Sequence, residues 1–255
     1  MRKLLIAMLC LLILCTSCAA SPKREFKGSF TPKTNGERLL SLLVSLTNPE
    51  VLELRMDEEP DDQGNVRNIH FLVKGASIGG FRVEKLALEA SFVELNAPSR
   101  WDPKAKDPIV VKSALRSNLE AVILEKDINA ALSTYAGDEW NKVSVDLKPG
   151  IIGARGYFHV KNPGLTLLAE VQTGLEIRQG KELWLKNVNL KINHDEQTDA
   201  VRQAIRDIQP VVDIRDFPFP VTLAVLSLDD QKLRIATRTA PKPFEGILLR
   251  YVRGS

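Results

Sequence analysis

Apolar residues along this chain recur first at helical spacing and then at strand spacing. Leu39, Leu42, Leu43 and Leu46 stand at i, i+3, i+4 and i+7, the stripe of an amphipathic helix, here over residues 37–47. Asn48-Pro49 stops it, because the residue before a proline avoids the helical region. Leu40 and Val44 widen the apolar face, so the helix is expected to be wrapped by other elements or pressed onto a membrane. From Val51 the period becomes two. Strands are expected over 51–56, 66–74 and 78–95, with Gly79-Gly80 marking a bend or bulge. Residues 97–108 read as a proline loop around Trp101. After a strand at 119–124, Asp127 caps a short helix through Tyr135 that Gly137 ends.

The second half alternates more cleanly. Val143, Val145 and Leu147 lead through the Pro149-Gly150 turn into a strand at 151–160. Leu165, Leu167, Ala169, Val171, Leu175 and Ile177 share one face of a long strand. Leu183 and Leu185 keep one phase while Val188, Leu190 and Ile192 keep the other, which predicts a bulge near Asn187. Residues 196–208 return to helical spacing, with Val201, Ala204, Ile205 and Ile208 on one face. Gln209-Pro210 and 216–220 then lead into a last hairpin, 221–228 and 233–239, turning at Asp229-Asp230-Gln231. About nine strands in runs with three helices predict an α+β fold built on a long antiparallel sheet. Long, strongly curved strands around a few helices can enclose an elongated interior, and periodicity leaves that interior either a filled core or an open apolar channel.

The N-terminus has its own pattern. Arg2 and Lys3 precede an apolar run of 11 residues, Leu4 to Leu14, which is signal-peptide length and too short to span a bilayer. It ends at Cys15-Thr16-Ser17-Cys18, similar to a lipobox cut before Cys18, although Cys15 replaces the usual aliphatic residue. All three cysteines lie in the first 18 residues, so cleavage there leaves one thiol, at the first mature position, and no disulfide framework. Cys18 is therefore the expected lipid anchor, carrying diacylglycerol with palmitate-class chains. An ordinary secretory cut after Ala19 or Ala20 is the alternative. The expected plan is a signal peptide at 1–17 and an acylated cysteine with its tether at 18–35. One domain follows at 36–240, with a C-terminal tail at 241–255. A flexible tether of about 17 residues spans roughly 20–25 Å on average and at most roughly 60 Å. The protein is then a membrane-anchored lipoprotein of the cell envelope, facing the periplasm or the exterior. Ala19, rather than Asp, follows the anchor, which permits transfer to an outer membrane where there is one.

Charge removes further classes. Without residues 1–17, 33 basic residues face 32 acidic ones, interleaved along the chain, which leaves no nucleic-acid footprint. His70, His159 and His194 fall in no metal-ligand spacing, and no nucleophile elbow, P-loop or dinucleotide fingerprint is present. Carboxylate pairs at Glu58-Glu59, Asp61-Asp62 and Asp229-Asp230 sit in turn-like stretches, where charge runs are ordinarily solvated. No enzyme, cofactor or metal is expected. Trp101, flanked by Arg100, Lys104 and Lys106, is a candidate headgroup-level membrane contact or a tryptophan packed under its loop.

Several of these features occur together in one family. The Asp127-Ile128-Asn129 helix, the strands paired through Pro149-Gly150, the helix ending at Gln209-Pro210 and the Pro218-x-Pro220 approach to a last hairpin resemble the LmeA-type phospholipid-binding proteins over roughly 66–239. The resemblance implies a tubular-lipid-binding (TULIP-like) architecture, in which a curved sheet wraps helices and holds acyl chains. It also implies phospholipid as partner in the cell envelope, and no catalytic residues. An acyl anchor is not a general feature of that family. The leading reading is thus a lipid-binding envelope lipoprotein, in lipid transport or envelope maintenance. The alternative is a structural or assembly lipoprotein that binds another envelope protein or a polysaccharide. Candidate lining residues are Leu39, Leu43, Val201, Ile205 and Ile208 from helices, with Leu167, Val171, Leu190 and Leu223 from strands. Each is more simply explained as filled core, and sequence alone does not separate lining from filling.

Overall fold

A computed structural model describes residues 23–78, 80–135, 140–160, 164–197 and 209–254. Its first half begins with β1 (Lys23–Lys27), α1 (Asn35–Thr47), β2 (Val51–Met56), β3 (Asn65–Ile78) and β4 (Phe81–Leu95). The short β5 (Val111–Ser113), then β6 (Arg116–Leu124) and α2 (Glu125–Tyr135) follow. Next come β7 (Trp140–Lys148), β8 (Ile151–Val160), β9 (Leu165–Arg178), β10 (Glu182–Ile192) and β11 (Asp195–Glu196). The chain closes with β12 (Val212–Asp213), β13 (Leu223–Leu228), β14 (Lys232–Thr237) and β15 (Ile247–Val252). The first sheet runs β1-β15-β2-β3-β4-β6-β14-β13, with β5 added to β4; the second runs β11-β10-β9-β8-β7, with β12 added to β10. Neither sheet closes on itself. The α+β class expected from the pattern is present, as long strands with two helices among the described residues.

The first sheet and α1 make a filled core. Thr34 caps α1 by accepting from the Glu37 N–H at 3.3 Å, and Asn48 ends it in the left-handed conformation. The helix buries Leu39 and Leu40 against the inward row Leu249–Leu54–Phe71–Leu88–Leu119, which crosses five neighbouring strands. Buried Glu37 is bonded at 2.6 Å by Arg24 of β1, which also reaches Glu59, so one guanidinium ties strand, helix and loop. On the outward face, residues 238–246 cross from β14 to β15, and the Lys242 N–H donates to Glu89 at 3.0 Å. His70, opposite Glu89 in the register, is buried, and its Nδ1 has no partner among the described residues. That burial holds its ionisation below the ordinary histidine value, opposed by nearby Glu89.

Two expectations are corrected, and one left open between two readings is narrowed. Residues 23–27, read as tether, and 247–252, read as tail, pair with each other in parallel and enter the first sheet beside β2. Ile78 pairs with Phe81, so the two close a hairpin between two strands instead of belonging to one bent strand; Gly79 itself lies outside the described residues. Trp101 packs beneath its loop: its indole N–H donates to the Asn96 carbonyl and side chain, each at 3.0 Å, and its ring joins the core. Of the two readings open for Trp101, these contacts are those of a tryptophan packed under its loop. The bulge expected near Asn187 is present, between Lys186 and Asn189. The expected helix at 196–208 lies largely outside the described residues; its first position, Glu196, belongs to the short β11.

Candidate binding site

The second sheet is amphipathic across its whole width. Register places Val145, Ala154, Val171 and Leu190 in one inward row, and Gly156, Ala169 and Ile192 in the next. Trp140, Phe158 and Leu167 form the row beyond. The outward row beside them is Ser144, Arg155, Glu170, Lys191 and Glu196, which alternates in sign from Arg155 onwards. Opposite charges across neighbouring strands stabilise such a water-facing row by a few tenths of a kcal/mol to about 1 kcal/mol per pair. The inward face has no such partner with water.

Small residues decide what that inward face can do. Ala154, Gly156 and Ala169 leave a floor without bulk, and Trp140, Val143, Val171 and Leu132 rise around it, enclosing about 340 Å³ of mostly apolar space. A Cβ on Gly156 would lie 3.1 Å from Val143 Cγ2 and 3.2 Å from the Trp140 ring, so glycine lets both side chains close over the strand. Trp140 also meets Phe158 with ring centroids 5.1 Å apart. A more polar hollow of about 480 Å³, lined among others by Ser144, Asp146, Glu170 and Gln172, adjoins it and shares Ala154, Arg155 and Val171 with it.

α2 forms one wall and is fixed by its polar side chains. Asn129 Nδ2 donates to the Val145 carbonyl at 2.9 Å, while its Oδ1 accepts the Val145 N–H at 2.6 Å. Glu125 accepts the Leu147 N–H at 2.8 Å. The helix thereby satisfies the edge of β7 as another strand would, removing a template for aggregation. At its start, Asp127 accepts from Arg82 of β4 at 2.9 Å, and Arg82 also binds Glu50 and Glu84. The bond to Glu84, with those to Glu50 and Asp127, raises the ionisation of Arg82 despite partial burial, so it stays charged as a pin between sheet and helix.

The candidate lining residues separate into two places. Leu39, Leu43 and Leu223 belong to the filled core around the first sheet. Leu167, Val171 and Leu190 share the inward face of the second, and Val171 lines the hollow directly. Val201, Ile205 and Ile208 lie outside the described residues, as does Cys18. Sequence reasoning missed Ala154, Gly156 and Ala169, because small side chains rank low when apolar residues are sought. Among the described residues, no three His, Cys, Asp or Glu groups could hold a metal ion, and no helix is long and apolar enough to cross a membrane.

The fold and this hollow define a class: an open, two-sheet α+β protein with one filled core and, among the described residues, an apolar hollow on the other sheet. The chain belongs to the LmeA-like phospholipid-binding family, whose model matches residues 45–238. No curated protein and no solved structure matches it.

Proposed function

We propose that this protein binds phospholipid by laying an acyl chain in the hollow of the second sheet. It does so as a non-catalytic lipoprotein of the cell envelope, held to its membrane through acylated Cys18. The observation that carries this reading is the apolar hollow itself, in a chain of a phospholipid-binding family. At roughly 30 Å³ per water-sized group, the 340 Å³ suits much of one acyl chain and not two. Each methylene gains about 0.8 kcal/mol on leaving water. Most of that gain also exists in a bilayer, so loading and release lie near balance and the protein can carry or present lipid. A second reading, an assembly lipoprotein, draws on β1, which pairs on one side only among the described residues. Its Lys23 and Lys27 are the charges that ordinarily discourage edge pairing.

Lipid mass spectrometry tests the first reading on the chain from Ala19 onwards, which keeps every described residue, secreted and purified without detergent. Phospholipid near one per protein is expected, and Val171→Asp should abolish it while leaving the chain folded. A folded, lipid-free wild-type protein that takes up nothing from vesicles would favour the assembly reading instead.

A further inference from the structure

Below its free end, the second sheet is apolar inside and charged outside; at that end the division breaks down. One step beyond the Arg155–Glu170 pair, the outward pair is Tyr157–Leu168, while the inward pair is Phe158–Leu167 beside Trp140. Trp140, Tyr157 and Leu165 are 38%, 40% and 52% exposed. Only at the last step does polarity return outside, where His159 meets Thr166 at 3.4 Å. Across 140–143, 155–160, 164–170 and the β10–β11 hairpin bonded to Leu168, the charges are Lys142, Arg155, Lys191, Glu170, Asp195 and Glu196, with His159 and His194. Glu170 is met by His194 at 3.2 Å. A sheet bathed only by water has no reason to carry tryptophan, tyrosine and leucine on both faces of one end. Tryptophan and tyrosine suit the boundary between headgroups and acyl chains. At about 3.3 Å per strand residue, the stretch from Glu170 to Leu165 is roughly 16 Å, comparable to the headgroup layer and the outermost part of the acyl chains.

We propose that this end of the second sheet docks on a lipid bilayer, with Trp140, Tyr157 and Leu165 at headgroup depth. Trp140 belongs at once to this end and to the wall of the hollow, so an acyl chain leaving the bilayer meets a continuous apolar path. That path rests on the phospholipid reading above; the docking does not. The bilayer is the occupant with the best chemical match, because two exposed amphipathic aromatics and an aliphatic, among charges that balance, fit the boundary between headgroups and acyl chains.

The mature chain, residues 18–255, with Cys18→Ala has no thiol and no acyl anchor, so an introduced cysteine reports its own position. Leu165→Cys and Tyr157→Cys would each carry an environment-sensitive fluorophore. The control is Leu115→Cys, on the first sheet and 76% exposed. Vesicles of phosphatidylglycerol and phosphatidylethanolamine with brominated acyl chains should quench the labels at 157 and 165 severalfold more than the label at 115. Equal quenching at all three, none at all, or quenching at 115 alone would overturn the docking. So would dimers that shield the labels at 157 and 165 without vesicles. Leu165→Glu should then slow phospholipid uptake from the same vesicles severalfold while the lipid bound at equilibrium is unchanged. Failure of the hollow reading would differ, showing no bound lipid in any variant while quenching at 157 and 165 persists.

Discussion

At the residue scale, what is missing matters as much as what is present. Ala169 lies at the floor of the hollow, where a larger side chain has open space to enter. Ala169→Phe is expected to fill that space and displace most of the bound phospholipid, read as lipid per protein after organic extraction. Its urea midpoint should stay near wild type, since the ring packs among Val143, Val171 and Leu132. Unchanged lipid content would mean that the chain lies elsewhere. His70 supports a different prediction. Burial lowers its ionisation from 6.5, so the unfolded chain takes up a proton before the folded one does. The stability of the neutral form is complete above about pH 6.5 and declines as pH falls from there towards the depressed folded value. His70→Leu removes both this linkage and the unpartnered Nδ1. Denaturation midpoints measured between pH 7.5 and 5.5 should fall in the wild type and flatten in the variant; parallel curves would place the linkage in other groups.

At the element scale, the chain termini hold the first sheet together. β15 lies between β1 and β2, and Leu249, fully buried, faces Leu54 in the inward row. Leu249→Ala should cost about 2–5 kcal/mol, as buried leucines do, measured by urea unfolding; a cost below 1 kcal/mol would show that the last strand is peripheral. This element was illegible in the sequence for physical reasons. Ile247, Leu248 and Leu249 run without alternation, and the strand's partners lie about 190 residues earlier in β2 and 225 earlier in β1. β1 itself, Lys-Arg-Glu-Phe-Lys, has one apolar residue and reads as solvated tether until Arg24 is seen bonded to Glu37. Local signals were legible: the helix cut at Asn48-Pro49, and the phase change that marks the bulge at Asn187. The candidate site was half legible. Alternation put Leu167 and Val171 on one face, but a hollow is a property of register, because only pairing brings Ala154, Gly156 and Ala169 side by side.

At the scale of the whole molecule, the zipped N-terminus changes how an anchored protein can move. With β1 beginning at Lys23, only Ala19, Ala20, Ser21 and Pro22 separate Cys18 from the folded body. Four residues reach about 14 Å at most, against the roughly 60 Å that a free tether of 17 residues would allow. If Cys18 is acylated, the first sheet is held against its own bilayer and cannot swing through the envelope on a leash. Lys23 is level in the register with Leu248, Arg55 and His70, eight positions before Ile78 at the β3–β4 turn, where Arg82 of β4 pins α2 and with it the wall of the hollow. Anchor and hollow therefore attach at different levels of the first sheet, about 26 Å apart along the strands at about 3.3 Å per residue, and in the acylated protein the body must lie along its membrane, or meet a second one, for the hollow to touch lipid. Energy transfer from a fluorophore at Lys23→Cys in the acylated protein to acceptor-labelled lipid in its own vesicle should be nearly complete. Inserting a long Gly/Ser segment between Pro22 and that position should lower it clearly. Weak transfer without the insertion would show that β1 is released from β15 on the membrane, and the long tether would be the right description after all.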